Sequence, residues 1–163
     1  MKRYPTSPAL VLATAGAAAL IVAANASAAT KSNDTMALKL TAVQTSFVPV
    51  PAISKSAPPQ IGTRMFFENA LYNRGAAFGK PAGARIGTAE VLCTIASKAA
   101  LECVITAHLP GGELVLTGSN PLSSKHSSYA VTGGVGIFSN VRGSATGTNL
   151  SPTRTAVDGT LSL

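Results

Sequence analysis

The chain has few of the residue types that build metal centres and acid–base sites. Among its 163 residues there are two histidines, two cysteines and six acidic residues, and there is no tryptophan. His108 and His126 lack the spacing of a zinc site, and two cysteines supply too few ligands. We therefore expect no metal and no cofactor.

Familiar catalytic motifs are missing as well. No serine lies in a Gly-x-Ser-x-Gly elbow, and no phosphate-binding loop is present. The cluster Gly133–Gly136 lacks the spacing and the following helix of a dinucleotide-binding loop. These absences leave no sequence support for an α/β-hydrolase, a dehydrogenase or a nucleotide hydrolase.

Concentrated positive charge is also absent. The chain carries 13 basic and 6 acidic residues, which is a modest excess. A nucleic-acid surface needs basic side chains clustered for phosphate neutralisation. The basic residues are scattered instead, so we expect no nucleic-acid partner: Lys39, Lys55, Arg64, Arg74, Arg85, Lys98, Arg142 and Arg154.

The first 28 residues have the pattern of a secretory signal peptide. Lys2 and Arg3 precede an apolar run over 9–24, and Ala26-Ser27-Ala28 offers small residues for cleavage. A transmembrane helix is the alternative, but the run is shorter than the roughly 20 apolar residues that a span needs. We therefore expect a secreted or periplasmic protein with no membrane partner after cleavage and one domain over 36–163.

No segment of that domain shows a helical period, whereas short alternating segments recur. Turn signals such as Pro110-Gly111-Gly112 and Gly118-Ser119-Asn120-Pro121 separate them. The pattern predicts an all-β fold, an eight-stranded antiparallel calycin-like β-barrel, with a sandwich as the alternative. The predicted strands are 36–50, 64–72, 85–96, 101–109, 113–117, 128–132, 137–146 and 153–163.

Cys93 and Cys103 are placed symmetrically about Lys98 and share one alternating face. A hairpin centred on Lys98 would set the two cysteines opposite each other. In an exported chain an even cysteine count favours a disulfide, with two buried free thiols as the alternative.

Three blocks and one signature resemble the dirigent and allene oxide cyclase superfamily. The signature is Thr132-Gly133-Gly134 followed by Gly136, Phe138 and Arg142-Gly143. The blocks span 61–72, 87–94 and 110–118. The resemblance implies a barrel, commonly trimeric, whose lumen holds a small hydrophobic or phenolic ligand. An enzyme of this kind would be an isomerase or cyclase that steers cyclisation or coupling by positioning its substrate.

The resemblance also suggests two site residues. Asn69 matches an asparagine that helps hold a water against the substrate in the cyclases, and Arg142 matches the arginine of the dirigent arginine–glycine pair. Both are therefore expected as catalytic and ligand-binding residues. The alternatives are an Asn69 that satisfies backbone near the Asn73-Arg74-Gly75 turn and an Arg142 exposed on a strand.

The chain departs from the cyclase pattern at several positions. The first strand has no glutamate, Thr63 replaces an aspartate, and no tyrosine follows Gly118. A faithful allene oxide cyclase is therefore not expected. A lipocalin-like carrier without turnover and a structural oligomeric exported barrel remain alternatives. The low charged fraction of 12% against 46% apolar residues predicts a homo-oligomer.

Overall fold

The computed structural model describes residues 35–52 and 60–163. The signal peptide predicted over residues 1–28 lies outside the described residues. Among the described residues no helix is long and apolar enough to cross a membrane.

Eight antiparallel strands close into one barrel, as the alternating pattern predicts. Each strand pairs with its neighbour in the chain, and β1 pairs with β8 to complete the closure. A closed barrel has no unpaired edge, so every strand has a partner on both sides. The strands are β1 (Thr35–Val50), β2 (Arg64–Asn73), β3 (Arg85–Ile95), β4 (Ala100–Leu109), β5 (Gly112–Pro121), β6 (His126–Gly136), β7 (Arg142–Ser151) and β8 (Arg154–Ser162).

The boundaries of β6 and β7 differ from the prediction. The predicted strands 128–132 and 137–146 leave Gly133 and Gly134 in the connection between them, but both lie inside β6, next to a register shift opposite Val115 and Leu116. A strand was expected to begin at Ile137, yet residues 137–141 form a turn and β7 begins at Arg142. The turn places Phe138 in the core with no exposed surface, and burial of this large ring outweighs continued alternation.

Gly134 makes this packing possible. A Cβ at Gly134 would overlap the carbonyl oxygen of Glu113 and lie 2.7 Å from the Cβ of Phe138. Only glycine allows the backbone of β6 to approach that closely.

The hydrophobic core fills one end of the barrel. Phe138, Leu114 and Leu161 have no exposed surface, and Val141 is 2% exposed. Phe78, from the β2–β3 loop, packs edge-on against Phe138 with ring centroids 6.2 Å apart. We call this the closed end; it contains the β2–β3, β4–β5 and β6–β7 connections.

Candidate functional site

A cavity of about 610 Å³ occupies the other half of the lumen. All eight strands contribute to its wall, and its lining reaches Leu122 and Lys125 of the β5–β6 loop and Pro152 of the β7–β8 loop. We call this the open end. The volume falls within the range of about 300–1,000 Å³ that is usual for small-molecule sites.

The cavity exists because small side chains line part of the wall. Ala89 and Ala107 lie opposite each other on β3 and β4, and both line the cavity. In the same row Asn69 of β2 pairs with Ala89, and Leu114 of β5 pairs with Ala107. Two neighbouring alanines therefore leave space in the lumen beside the amide of Asn69.

Asn69 lines the cavity, as the resemblance implied. Gln44 of β1 pairs with it directly and also lines the cavity, so two amides lie side by side in this part of the wall. Glu68, the preceding residue, is exposed because neighbouring strand residues face opposite sides. The backbone near the Asn73-Arg74-Gly75 turn is instead satisfied by Asn73. Its Nδ2 donates to the carbonyls of Ala77 and Lys80, each at 2.9 Å.

Arg142 is not part of the cavity lining. It is exposed at the start of β7, near the closed end, where it pairs with Ser162 of β8. Its Nη1 donates to the carbonyl of Val141 at 2.8 Å. The structure therefore does not bring Asn69 and Arg142 together, and the expected lumen contact of Arg142 finds no support in its placement.

The disulfide between Cys93 and Cys103 is confirmed. The two residues are directly paired on β3 and β4, with Cα atoms 4.1 Å apart. Both are 5% exposed, and both line the cavity. The cysteine pair is therefore part of the apolar wall of the open half.

Several further polar residues of the wall were missed by the sequence reasoning. Tyr129 of β6 and Asn120 of β5 both line the cavity. A Cβ at Gly118 would lie 2.8 Å from Cδ1 of Tyr129, so this glycine leaves room for the ring. Cys103 faces the lumen and pairs with Gly118. Asn120 is two residues after Gly118 on the same strand, so it faces the same side of the sheet.

The charges lie mostly outside the lumen. Among the described residues Lys125 is the only lysine or arginine of the cavity lining, and that lining contains no aspartate or glutamate. On the outer face Arg74 forms an ion pair with Asp158, and Nδ1 of His108 lies 3.1 Å from Oε1 of Glu113. Within residues 35–52 and 60–163 no cluster of histidine, cysteine and acidic side chains could hold a metal ion.

Comparisons with known proteins agree with this architecture. No protein-family model and no curated protein matches the chain. Among solved structures, pyocyanin demethylase is similar at a TM-score of 0.60 and 19% identity, covering 77% of this chain and 99% of that protein. The pterocarpan synthase dirigent protein PsPTS1 is similar at 0.62 and 20%, covering 79% and 95%.

A third similar structure is the Diels–Alderase AbmU from Streptomyces koyangensis, at a TM-score of 0.60 and 14% identity. The match covers 78% of this chain and 63% of AbmU. The chain thus has the barrel fold of dirigent proteins and cyclase barrels. At these identities the likeness concerns the fold, and the chemistry of the site must be argued from its own residues.

Proposed function

We propose that this barrel binds a small hydrophobic or phenolic molecule in its lumen and steers the cyclisation or coupling of that molecule. The observation that carries the proposal is the apolar cavity of about 610 Å³ with a few amide and hydroxyl groups in its wall. Apolar surface binds a hydrophobic molecule, and isolated polar groups orient it. The similar structures include a pterocarpan synthase dirigent protein and a Diels–Alderase.

The described lining offers amide and hydroxyl groups that can position a ligand, and its Lys125 and His126 lie at the open end, in the β5–β6 loop and at the start of β6. Gln44 and Asn69 lie on β1 and β2, and Asn120 and Tyr129 lie on β5 and β6, so polar groups come from two separate parts of the wall. None is a carboxylate. Holding a reactive molecule in one conformation lowers the entropic part of its barrier without proton transfer. The proposed reaction is therefore an isomerisation, cyclisation or coupling governed by the shape of the lumen.

A lipocalin-like carrier without turnover is the second candidate. The same absence of acidic side chains from the described lining that favours positioning is also compatible with simple sequestration. The third alternative, an exported barrel with only a structural role, receives less support. The lumen of such a barrel would be filled by large side chains.

The test is binding followed by product analysis. The mature protein would be titrated with pyocyanin, hydrophobic phenols and fatty-acid derivatives, and the bound phenols would then be treated with a one-electron oxidant. Steering predicts an enantiomeric excess in the coupled product on chiral chromatography. A racemic product from a tightly bound phenol would favour the carrier, and no binding by any panel member would contradict both candidates.

We also propose that the protein is exported and assembles into a homo-oligomer, with a trimer as the expected state. Export rests on the sequence pattern of residues 1–28. Assembly is supported by a row of apolar side chains on the outer face, at paired positions of four neighbouring strands. The row is Val48, Phe66, Leu92 and Val104, of which Val48, Phe66 and Val104 are 52%, 41% and 46% exposed.

Sedimentation tests the assembly. Burial of this row against another copy would offset the cost of its exposure to water. The mature protein is expected to sediment as an oligomer at tens of micromolar, and Phe66→Glu to shift it towards the monomer. Thr106→Glu, on the outer face of β4 and outside the row, is the control. A monomeric wild type would contradict the proposal.

A further inference from the structure

Asn120 lies in the cavity wall near the open end and carries a polar atom that the described residues leave unsatisfied. The residue is 5% exposed and lies opposite Leu101 of β4. Its Oδ1 accepts a hydrogen bond from the backbone N–H of Ser128 at 3.0 Å. Its Nδ2 is buried and has no hydrogen-bond partner among the residues that the structure describes.

The bond to Ser128 fixes the orientation of the amide. A backbone N–H can only donate, so the atom that faces Ser128 must be the acceptor Oδ1, and Nδ2 must point elsewhere. The bond is needed because regular pairing between β5 and β6 stops at Thr117 and Ala130. A structural role thus accounts for the oxygen of Asn120 and leaves its NH₂ group unexplained.

A ligand offers the missing acceptor. A buried donor without a partner loses its hydration uncompensated, which is why such groups are rare in folded proteins. Resting on the function proposed above, we propose that Asn120 is a specificity-determining residue that donates a hydrogen bond from Nδ2 to an acceptor oxygen of the lumen ligand.

The surroundings of Asn120 indicate the class of that ligand. The described part of the cavity lining contains no aspartate or glutamate, so a cationic ligand would find no counter-charge there. The neighbouring lining residues Leu101, Cys103 and Leu122 are apolar. A carbonyl oxygen accepts without donating, which suits an amide whose own oxygen is already occupied by Ser128. We therefore expect a largely hydrocarbon ligand that is not a cation and that carries an acceptor-only oxygen, such as the carbonyl of a ketone or quinone.

A matched pair of probes tests this. Benzophenone and diphenylmethane have the same two rings, joined by a carbonyl in one and by a methylene in the other. Calorimetric titration of the wild-type protein is expected to show about tenfold tighter binding of benzophenone, the effect of one hydrogen bond. In Asn120→Asp, which keeps an acceptor for Ser128 but loses the NH₂ donor, the two affinities are expected to become equal.

The control is Asn140→Asp, the same chemical change at an exposed turn residue near the closed end. It is expected to keep the tenfold preference. In nitrogen-15-labelled wild type, benzophenone is further expected to shift the side-chain amide resonances of Asn120, whereas diphenylmethane leaves them in place. This second measurement does not depend on the folding of any variant.

The outcomes separate the two proposals. Equal affinities of the wild type for both probes, a preference that survives in Asn120→Asp, or amide resonances that ignore benzophenone would each overturn the role of Asn120. None of these results touches the wider proposal of a hydrophobic lumen site. If the wild type binds neither probe, the role of Asn120 and the proposed function both fail.

Discussion

The two ends of the barrel are stabilised in different ways. At the closed end Phe138 and Leu161 have no exposed surface and Val141 is 2% exposed, so this half is held by close packing. At the open end the lumen contains the cavity, and the Cys93–Cys103 disulfide ties β3 to β4 across its wall. The comparison shows how one small barrel can keep a cavity: packing at one end supplies stability, and a covalent link holds the wall where packing is absent.

The largest expected effect concerns the closed end. Phe138→Ala removes a fully buried ring and should lower the free energy of unfolding by about 3–5 kcal/mol. Phe47→Ala is the matched change at the open half, where the ring is 44% exposed, and should cost less than about 1.5 kcal/mol. Denaturant unfolding of both variants measures the difference; equal losses would contradict the assignment of the packed core to one end.

The disulfide should have the next largest effect. Replacing Cys93 and Cys103 by alanine is expected to lower the free energy of unfolding by about 2–3 kcal/mol, because a short closed loop no longer restricts the unfolded chain. Denaturant unfolding of the double variant checks this value. Mass spectrometry of non-reduced peptides checks the bridge itself, and two free thiols in protein from its native compartment would contradict it.

Filling the cavity should affect binding more than stability. Ala89→Phe places a ring in the space beside Asn69 and should weaken binding of hydrophobic phenols by at least about tenfold, since the ligand and the new side chain compete for the same volume. Thr88→Phe introduces the same ring one residue earlier, on the exposed face of β3. Unchanged affinity in Ala89→Phe would show that ligands do not use this part of the lumen.

The smallest effect compares the two residues suggested by resemblance. Asn69→Ala is expected to weaken ligand binding about three- to tenfold through loss of one hydrogen bond, whereas Arg142→Ala should leave the affinity unchanged because it lies outside the cavity lining. Titrations of both variants with the best wild-type ligand measure this. A larger loss for Arg142→Ala would contradict the placement of the site at the open end.

Much of the fold could be predicted because its signals are local. Alternation over about ten residues defines a strand, and the symmetric positions of Cys93 and Cys103 about Lys98 predict both the β3–β4 hairpin and its register. The same alternation misplaced the start of β7. A period of two does not reveal that the chain turns at Phe138 so that this ring is buried at the closed end. That burial depends on packing against residues distant in the sequence.

The candidate site was predicted less well, because it too depends on contacts between residues distant in the sequence. A strand pattern separates two faces but does not say which one lies inside the barrel. Asn69 was placed by resemblance and lies in the lining, whereas Arg142, suggested on the same grounds, lies outside it. Asn120 stands in a segment predicted as a turn, and Tyr129 in a predicted strand whose inner face the sequence does not identify, so their lumen positions emerge only from the strand pairing.

The sequence by itself indicated an all-β chain and favoured a barrel and a disulfide between its two cysteines, because turn residues, alternation and cysteine spacing act over short distances. The tertiary structure alone decided which end of the lumen is packed and which amides line the cavity. Those features depend on how eight strands share one interior volume, and that volume is fixed only when the last strand pairs with the first.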